Sequence, residues 1–222
     1  MFPLFLLSLL YSLAILFSFR QLPASWLCDY GEAPARCYDQ TRLQGGLQFI
    51  FIFCFTLVSM SLFLPATGAN LLSPASFLLI LLLAHICLSD ISYQIIPDQH
   101  VGLILLMGLF IWPPAGLLSK LVGLTVGALP FLLLLLAGLL LRGQEWIGLG
   151  DVKLMGSLGF FLGAQGIIAV HALSGLLSGL LTFCLLIIRL LTRKGGLPTF
   201  LPLAPCISLA FVICCGYPQW WS

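Results

Sequence analysis

The chain is predicted to be all-α: a polytopic transmembrane bundle of about eight helices with both termini on the non-cytoplasmic side. Composition, the length of the apolar runs and the placement of charge carry that expectation. Hydrophobic residues make up 61% and charged residues 7% of the 222 positions, against roughly 25% charged in soluble domains. Such a chain cannot cover a globule with polar groups, so its natural medium is a lipid bilayer. The apolar runs are continuous rather than alternating, which excludes an outer-membrane barrel. A net charge of +2 is too small to argue for a nucleic-acid partner.

About 20 apolar residues cross a bilayer as a helix. The first run, Met1–Phe19, ends at Arg20. It lacks the basic amino end of a secretory signal, and Gln21-Leu22-Pro23-Ala24 is a poor cleavage site, so it is expected to remain as a membrane helix. Residues 20–46 are the one sizeable polar region and are expected to form a short cytoplasmic loop, long for a connection but small for a folded domain. This loop holds Cys28 and Cys37, two thiols where a structural zinc site wants four ligands, so no metal is expected. Cys54, Cys87, Cys184, Cys206, Cys214 and Cys215 fall in apolar runs, where a thiol behaves as a small hydrophobe.

Further runs follow at Leu47–Pro65, Leu71–Ser89, Gly116–Leu141 and Ile167–Ile188, with shorter ones at Val101–Trp112, Leu154–Gly163 and Phe200–Gly216. The stretch Val152–Ile188 would run about 55 Å as one helix, too far for one crossing. Gly163-Ala164-Gln165-Gly166 is where it is expected to turn back. With this segmentation Arg20, Arg36, Arg42, Arg142, Lys153, Arg189, Arg193 and Lys194 share one side and Lys120 alone takes the other. The positive-inside rule then makes the first side cytoplasmic. Residues 1–222 read as a single membrane domain without a visible internal repeat.

Two aspartates stand out in this setting, among only seven acidic residues. Asp90 ends the third predicted crossing and Asp151 begins the sixth, so both reach the cytoplasmic face and could meet. An ionisable group at membrane depth costs roughly 2.5–3.5 kcal/mol on insertion scales and is a functional hypothesis by default. Two close carboxylates share a proton, because like charges at short range cannot both ionise. One partner can then take a proton from water while the other protonates a carbonyl oxygen, which is aspartic-protease chemistry. Gly148 and Gly150 would let backbone approach closely, and Pro97 is expected to end or bend the chain after Asp90.

Plainer roles compete. Asp151 at a helix start could be a cap alone, and Asp98 is expected to be one. Lys153 reads as an anchor at the lipid interface, Glu145 as a solvated loop residue, and His85 and His171 as packed core histidines. No Ser/His/Asp spacing, HExxH or phosphate loop is present.

At these residues the chain resembles the type IV prepilin leader peptidases, GxGD-type aspartic proteases. The first motif is Asp90 with Pro97-Asp98. The second is Glu145, Gly148, Gly150, Asp151, Val152, Lys153 and Leu154, followed by Gly159 and Gly163. Pro202-Leu203-Ala204-Pro205 is similar to the family's last helix, though less specific. The resemblance covers about residues 70–216, as a peptidase core, and implies catalytic roles for Asp90 and Asp151. It implies removal of a short basic leader from type IV prepilin or pseudopilin precursors, in pilus or type II secretion systems, at the cytoplasmic face of the bacterial inner membrane. Many members also methylate the new amino terminus with S-adenosylmethionine and carry a larger first cytoplasmic domain with two CxxC pairs. Here that region is only residues 20–46, so a peptidase without methylation and without a cofactor is expected. Presenilin-like and signal-peptide peptidases share the Gly-Leu-Gly-Asp string but pair it with Tyr-Asp on the preceding helix and a later Pro-Ala-Leu, whereas this chain has Ser89-Asp90 there and no Pro-Ala-Leu. A small transporter or proton-coupled protein is the alternative of a different class, although transporters commonly show two related halves.

Overall fold

A computed structural model describes residues 2–27, 45–66, 74–110, 116–192 and 202–217. Among them are seven α-helices and no strand, and the chain is a polytopic helical membrane bundle. The helices are α1 (Phe2–Arg20), α2 (Gly45–Ala66), α3 (Pro74–Tyr93), α4 (Asp98–Phe110), α5 (Leu117–Arg142), α6 (Leu149–Thr192) and α7 (Ala204–Gly216). A 3-10 turn at Ala24–Trp26 follows α1. Five helices are long and apolar enough to cross a membrane. By contrast α4 and α7, at 13 residues each, extend only about 20 Å.

The helix count is seven rather than about eight because the expected sixth and seventh crossings, joined at Gly163, are taken together as the 44 residues of α6. That helix is broken at Gly163, whose φ of 79° and ψ of −179° lie outside the helical region, a conformation essentially reserved for glycine. Ile167 Cγ1 lies 3.3 Å from where a Gly159 Cβ would sit and 3.2 Å from the corresponding point at Gly127 of α5. On one straight helix Gly159 and Ile167 would stand about 12 Å apart along the axis. The chain therefore folds back at Gly163, and the ring of His171 reaches Phe131 of α5 at 5.6 Å. Both arms of α6 lie against α5.

Contacts between helices fix their directions. Ser18 Oγ of α1 meets His85 Nε2 of α3 at 3.0 Å, and the Tyr11 hydroxyl donates to the Phe77 carbonyl, so α1 and α3 run parallel. Gln48, near the start of α2, donates to Ser92 near the end of α3. His100, at the start of α4, meets His85 at 3.1 Å. At the opposite end the buried Lys120 donates to the Gly108 carbonyl at 2.6 Å. Gly216, which closes α7, packs there against Leu62. The starts of α2, α4, α6 and α7 thus gather at one end of the bundle with the finish of α3. Arg20 and Arg142, the last residues of α1 and α5, belong to that end too.

Lipid tails are as apolar as leucine, so close backbone packing rather than the hydrophobic effect joins helices in a bilayer. The α5–α6 contact shows this directly. A Cβ on Gly123 would overlap the Gly159 carbonyl oxygen, and one on Gly127 the Met155 carbonyl oxygen. Around α3 the interior is filled by Leu83, Ile86 and Leu88 with Leu154, Met155 and Leu158 of α6 and Phe211 of α7, all essentially without exposure.

Candidate active site

Asp90 lies inside α3, which continues to Tyr93; the expectation that it ends the crossing is corrected by one turn. Hydropathy falls at the first charged residue, whereas backbone hydrogen bonding continues past it. The helix closes at Gln94, the only described non-glycine residue with positive φ, at 60°. Gln94 N–H donates to the Asp90 carbonyl at 3.0 Å, the bond of a left-handed C-cap. Pro97 therefore does not end the helix. It precedes α4, and its carbonyl accepts from His100 and Val101 N–H, which makes it a helix start.

The Asp90 side chain is buried at 8% exposure. Its Oδ2 accepts a 2.9 Å hydrogen bond from the backbone N–H of Ala204, the first residue of α7. The first N–H groups of a helix have no partner within it, and their dipole favours an anion. Asp90 meets that need from another helix. Ala204 is a site residue that sequence reasoning missed as such; the only signal was the Pro202-Pro205 frame at the start of α7. Two thiols accompany it, since Cys87 and Cys206 both lie within electrostatic reach of Asp90.

Asp151 is the third residue of α6, and its N–H donates to the Gly148 carbonyl at 3.1 Å. The carboxyl is close enough to Asp90 to interact electrostatically with it. Asp151 Oδ1 is buried and makes no hydrogen bond among the described residues. A buried oxygen without a partner is rare enough to need a reason, and a reacting water or substrate group would supply one. The capping role open to Asp151 does not account for this oxygen.

The supporting residues divide. A Cβ on Gly150 would come within 3.0 Å of Ile96 Cβ, so this glycine is needed for close approach. At Gly148 the nearest atom to such a Cβ is Asp151 Oδ2 at 3.6 Å, an ordinary contact, so the expected tight approach there is not found. Asp98, expected as a cap, gives both carboxylate oxygens to Lys153 Nζ at 2.9 Å. Lys153 is thereby a partner of the first motif and not merely an interfacial anchor. Both side chains are over a third exposed, 36% for Lys153 and 38% for Asp98, where such pairs contribute about 0–1 kcal/mol to stability. Glu145 is exposed, as expected of a loop residue. His85 is a buried, hydrogen-bonded core histidine, and His171 a half-buried one bonded to the Ile167 carbonyl. No group of three His, Cys, Asp or Glu among the described residues is placed to hold a metal. Cys28, Cys37 and most of the expected cytoplasmic loop lie outside the described residues.

Residues 77–213, which include both aspartates, match the type IV leader peptidase family. The chain is 33% identical over 125 residues to the type 4 prepilin-like proteins leader peptide-processing enzyme of Escherichia coli O78:H11 (strain H10407 / ETEC), covering 54% of this chain and 43% of that one. It is also 33% identical over 161 residues to the prepilin leader peptidase/N-methyltransferase of Pectobacterium carotovorum subsp. carotovorum, covering 68% of this chain and 55% of the relative. The chain thus spans about half the length of these curated relatives. No solved structure matches it.

Proposed function

Because the chain belongs to the type IV leader peptidase family, we propose that it is an aspartic endopeptidase whose catalytic pair is Asp90 and Asp151. Its substrates are type IV prepilin or pseudopilin precursors. It removes their short basic leader at the cytoplasmic face of the bacterial inner membrane. The observation that carries this reading is that the carboxyls of Asp90, near the end of α3, and Asp151, at the start of α6, lie within electrostatic reach of each other beside an unpartnered buried oxygen of Asp151.

In the proposed reaction the pair holds one proton between its two carboxyls. The ionised carboxyl takes a proton from water, whose oxygen attacks the scissile carbonyl carbon. The neutral carboxyl gives its proton to the carbonyl oxygen. Collapse of the tetrahedral intermediate breaks the C–N bond: one hydroxyl returns its proton to the carboxylate that had protonated the carbonyl oxygen, and the departing amine takes up the proton removed from water. Titration belongs to the pair and not to either residue. Proton transfer of this kind needs neither metal nor cofactor, and S-adenosylmethionine would enter only with a methyltransferase activity, which we do not include.

The test is precursor cleavage in membrane vesicles by the wild type and by Asp90→Asn and Asp151→Asn. Asparagine keeps the shape and removes the ionisation. Each variant should insert normally and lose at least the 10²–10⁴-fold that general acid–base catalysis typically contributes, as an order of magnitude. Near-normal cleavage by either one overturns the assignment.

A further inference from the structure

The two aspartates stand on different helices, α3 and α6, and catalysis needs their carboxyls at a fixed separation. A chain of contacts runs between those helices without passing through either carboxyl. It begins at Asp90 itself, whose carbonyl receives the Gln94 N–H at 3.0 Å. Ser89 Oγ donates to the Ile95 carbonyl at 2.6 Å and ties the following segment to the end of α3. The segment then reaches α6 twice. Ile96 packs closely on Gly150, where an added Cβ would come within 3.0 Å of Ile96 Cβ. Asp98 takes Lys153 Nζ with both oxygens at 2.9 Å. Gly150 and Lys153 flank Asp151 on either side in sequence.

We infer that segment 94–98 is a clamp that sets the spacing of the two catalytic aspartates, with Asp98 and Lys153 as positioning residues that lock it. This rests on the proposed peptidase reading and adds to it a role for the Asp98–Lys153 pair. Both locking side chains are too exposed for their pairing to hold the fold together. Loss of the lock should therefore appear in turnover and not in folding. Small misplacements of reacting groups are severe, on the order of a hundredfold for about 1 Å.

The experiment measures kcat, KM and thermal stability on a prepilin precursor in proteoliposomes, for Lys153→Met, Asp98→Asn, Lys153→Arg, the single reversals Lys153→Asp and Asp98→Lys, and the two reversals combined. Lys153→Met and Asp98→Asn should lose roughly a hundredfold in kcat, with KM and melting temperature close to wild type. Lys153→Arg, which can bind a carboxylate with two parallel bonds, should keep most of the activity. The combined reversal should recover a large part of what each single reversal loses. Wild-type kcat in Lys153→Met overturns the clamp, as does a fall in melting temperature that accounts for the lost activity. If Lys153→Met does not accumulate, the near-isosteric Asp98→Asn decides by the same criteria. A wild-type protein that cleaves no precursor would instead sink the peptidase reading, so the two failures are distinguishable.

Discussion

Gln94 occupies a conformation, φ 60°, that L-residues adopt at a cost of about 1–2 kcal/mol and glycine adopts freely. Gln94→Gly should therefore raise stability by up to about 1 kcal/mol, read as a higher melting temperature in detergent. A lower melting temperature would mean that the glutamine side chain matters more than its backbone. The two motif glycines should separate in a similar test. Gly150→Ala drives a Cβ to 3.0 Å from Ile96 Cβ and should reduce cleavage strongly, whereas Gly148→Ala meets nothing nearer than 3.6 Å and should retain most of it. Equal losses in both variants would refute this distinction. The aspartates themselves were legible in the sequence, because charge is scarce in so apolar a chain and each stands in a turn-marked motif. The bond from Ala204 to Asp90 was not. A backbone N–H leaves no trace in residue identity, and alanine carries no chemistry to notice.

At the scale of elements, the apolar runs gave helix positions to within a few residues, and their errors share one cause. Hydropathy reports what faces lipid, whereas a helix ends where its backbone is capped. Asp90 therefore falls inside α3, and α7 begins after Pro202 instead of at Phe200. The fold-back at Gly163 was readable from length and glycine content. The close seam formed by Gly123, Gly127 and Gly159 was not, because a glycine meant for packing looks like one meant for a turn. Gly123→Ala would press a methyl group into the Gly159 and Gly163 backbone. It should cost about 1–3 kcal/mol, the usual range for overpacking. Gly163→Ala should lose a similar amount through strain at φ 79°. Either variant melting like wild type would show that the two arms of α6 do not need this geometry.

For the whole molecule, the sequence foretold that both aspartates would reach one end of the bundle, since that follows from counting crossings. The contacts between helices put the finish of α3 and the start of α6 at that end, with Lys120 at the other. The short loop of residues 20–46 bears on the methyltransferase activity for which the Pectobacterium relative is named. A nucleoside-sized ligand needs a pocket of ~300–1,000 Å³ with several convergent polar groups, and 27 residues without paired CxxC motifs are a poor source of one. Pilin processed by this protein as the sole such enzyme should carry an unmethylated amino terminus, and mass spectrometry that finds one added methyl group would reverse that conclusion. The 13-residue length of α4 has a different consequence. Its outward face shows Leu103, Leu106, Leu109 and Phe110, an apolar wall of about 20 Å against a hydrocarbon slab of about 30 Å. Lipid beside that wall must dip to meet it, at fractions of a kcal/mol per Å of mismatch. Thinning at the end where Asp98 begins the helix would bring water down toward the two carboxyls. Turnover should accordingly quicken in vesicles of short-chain phospholipids and slow as the acyl chains lengthen, so that bilayer thickness itself becomes a determinant of how fast pilins mature.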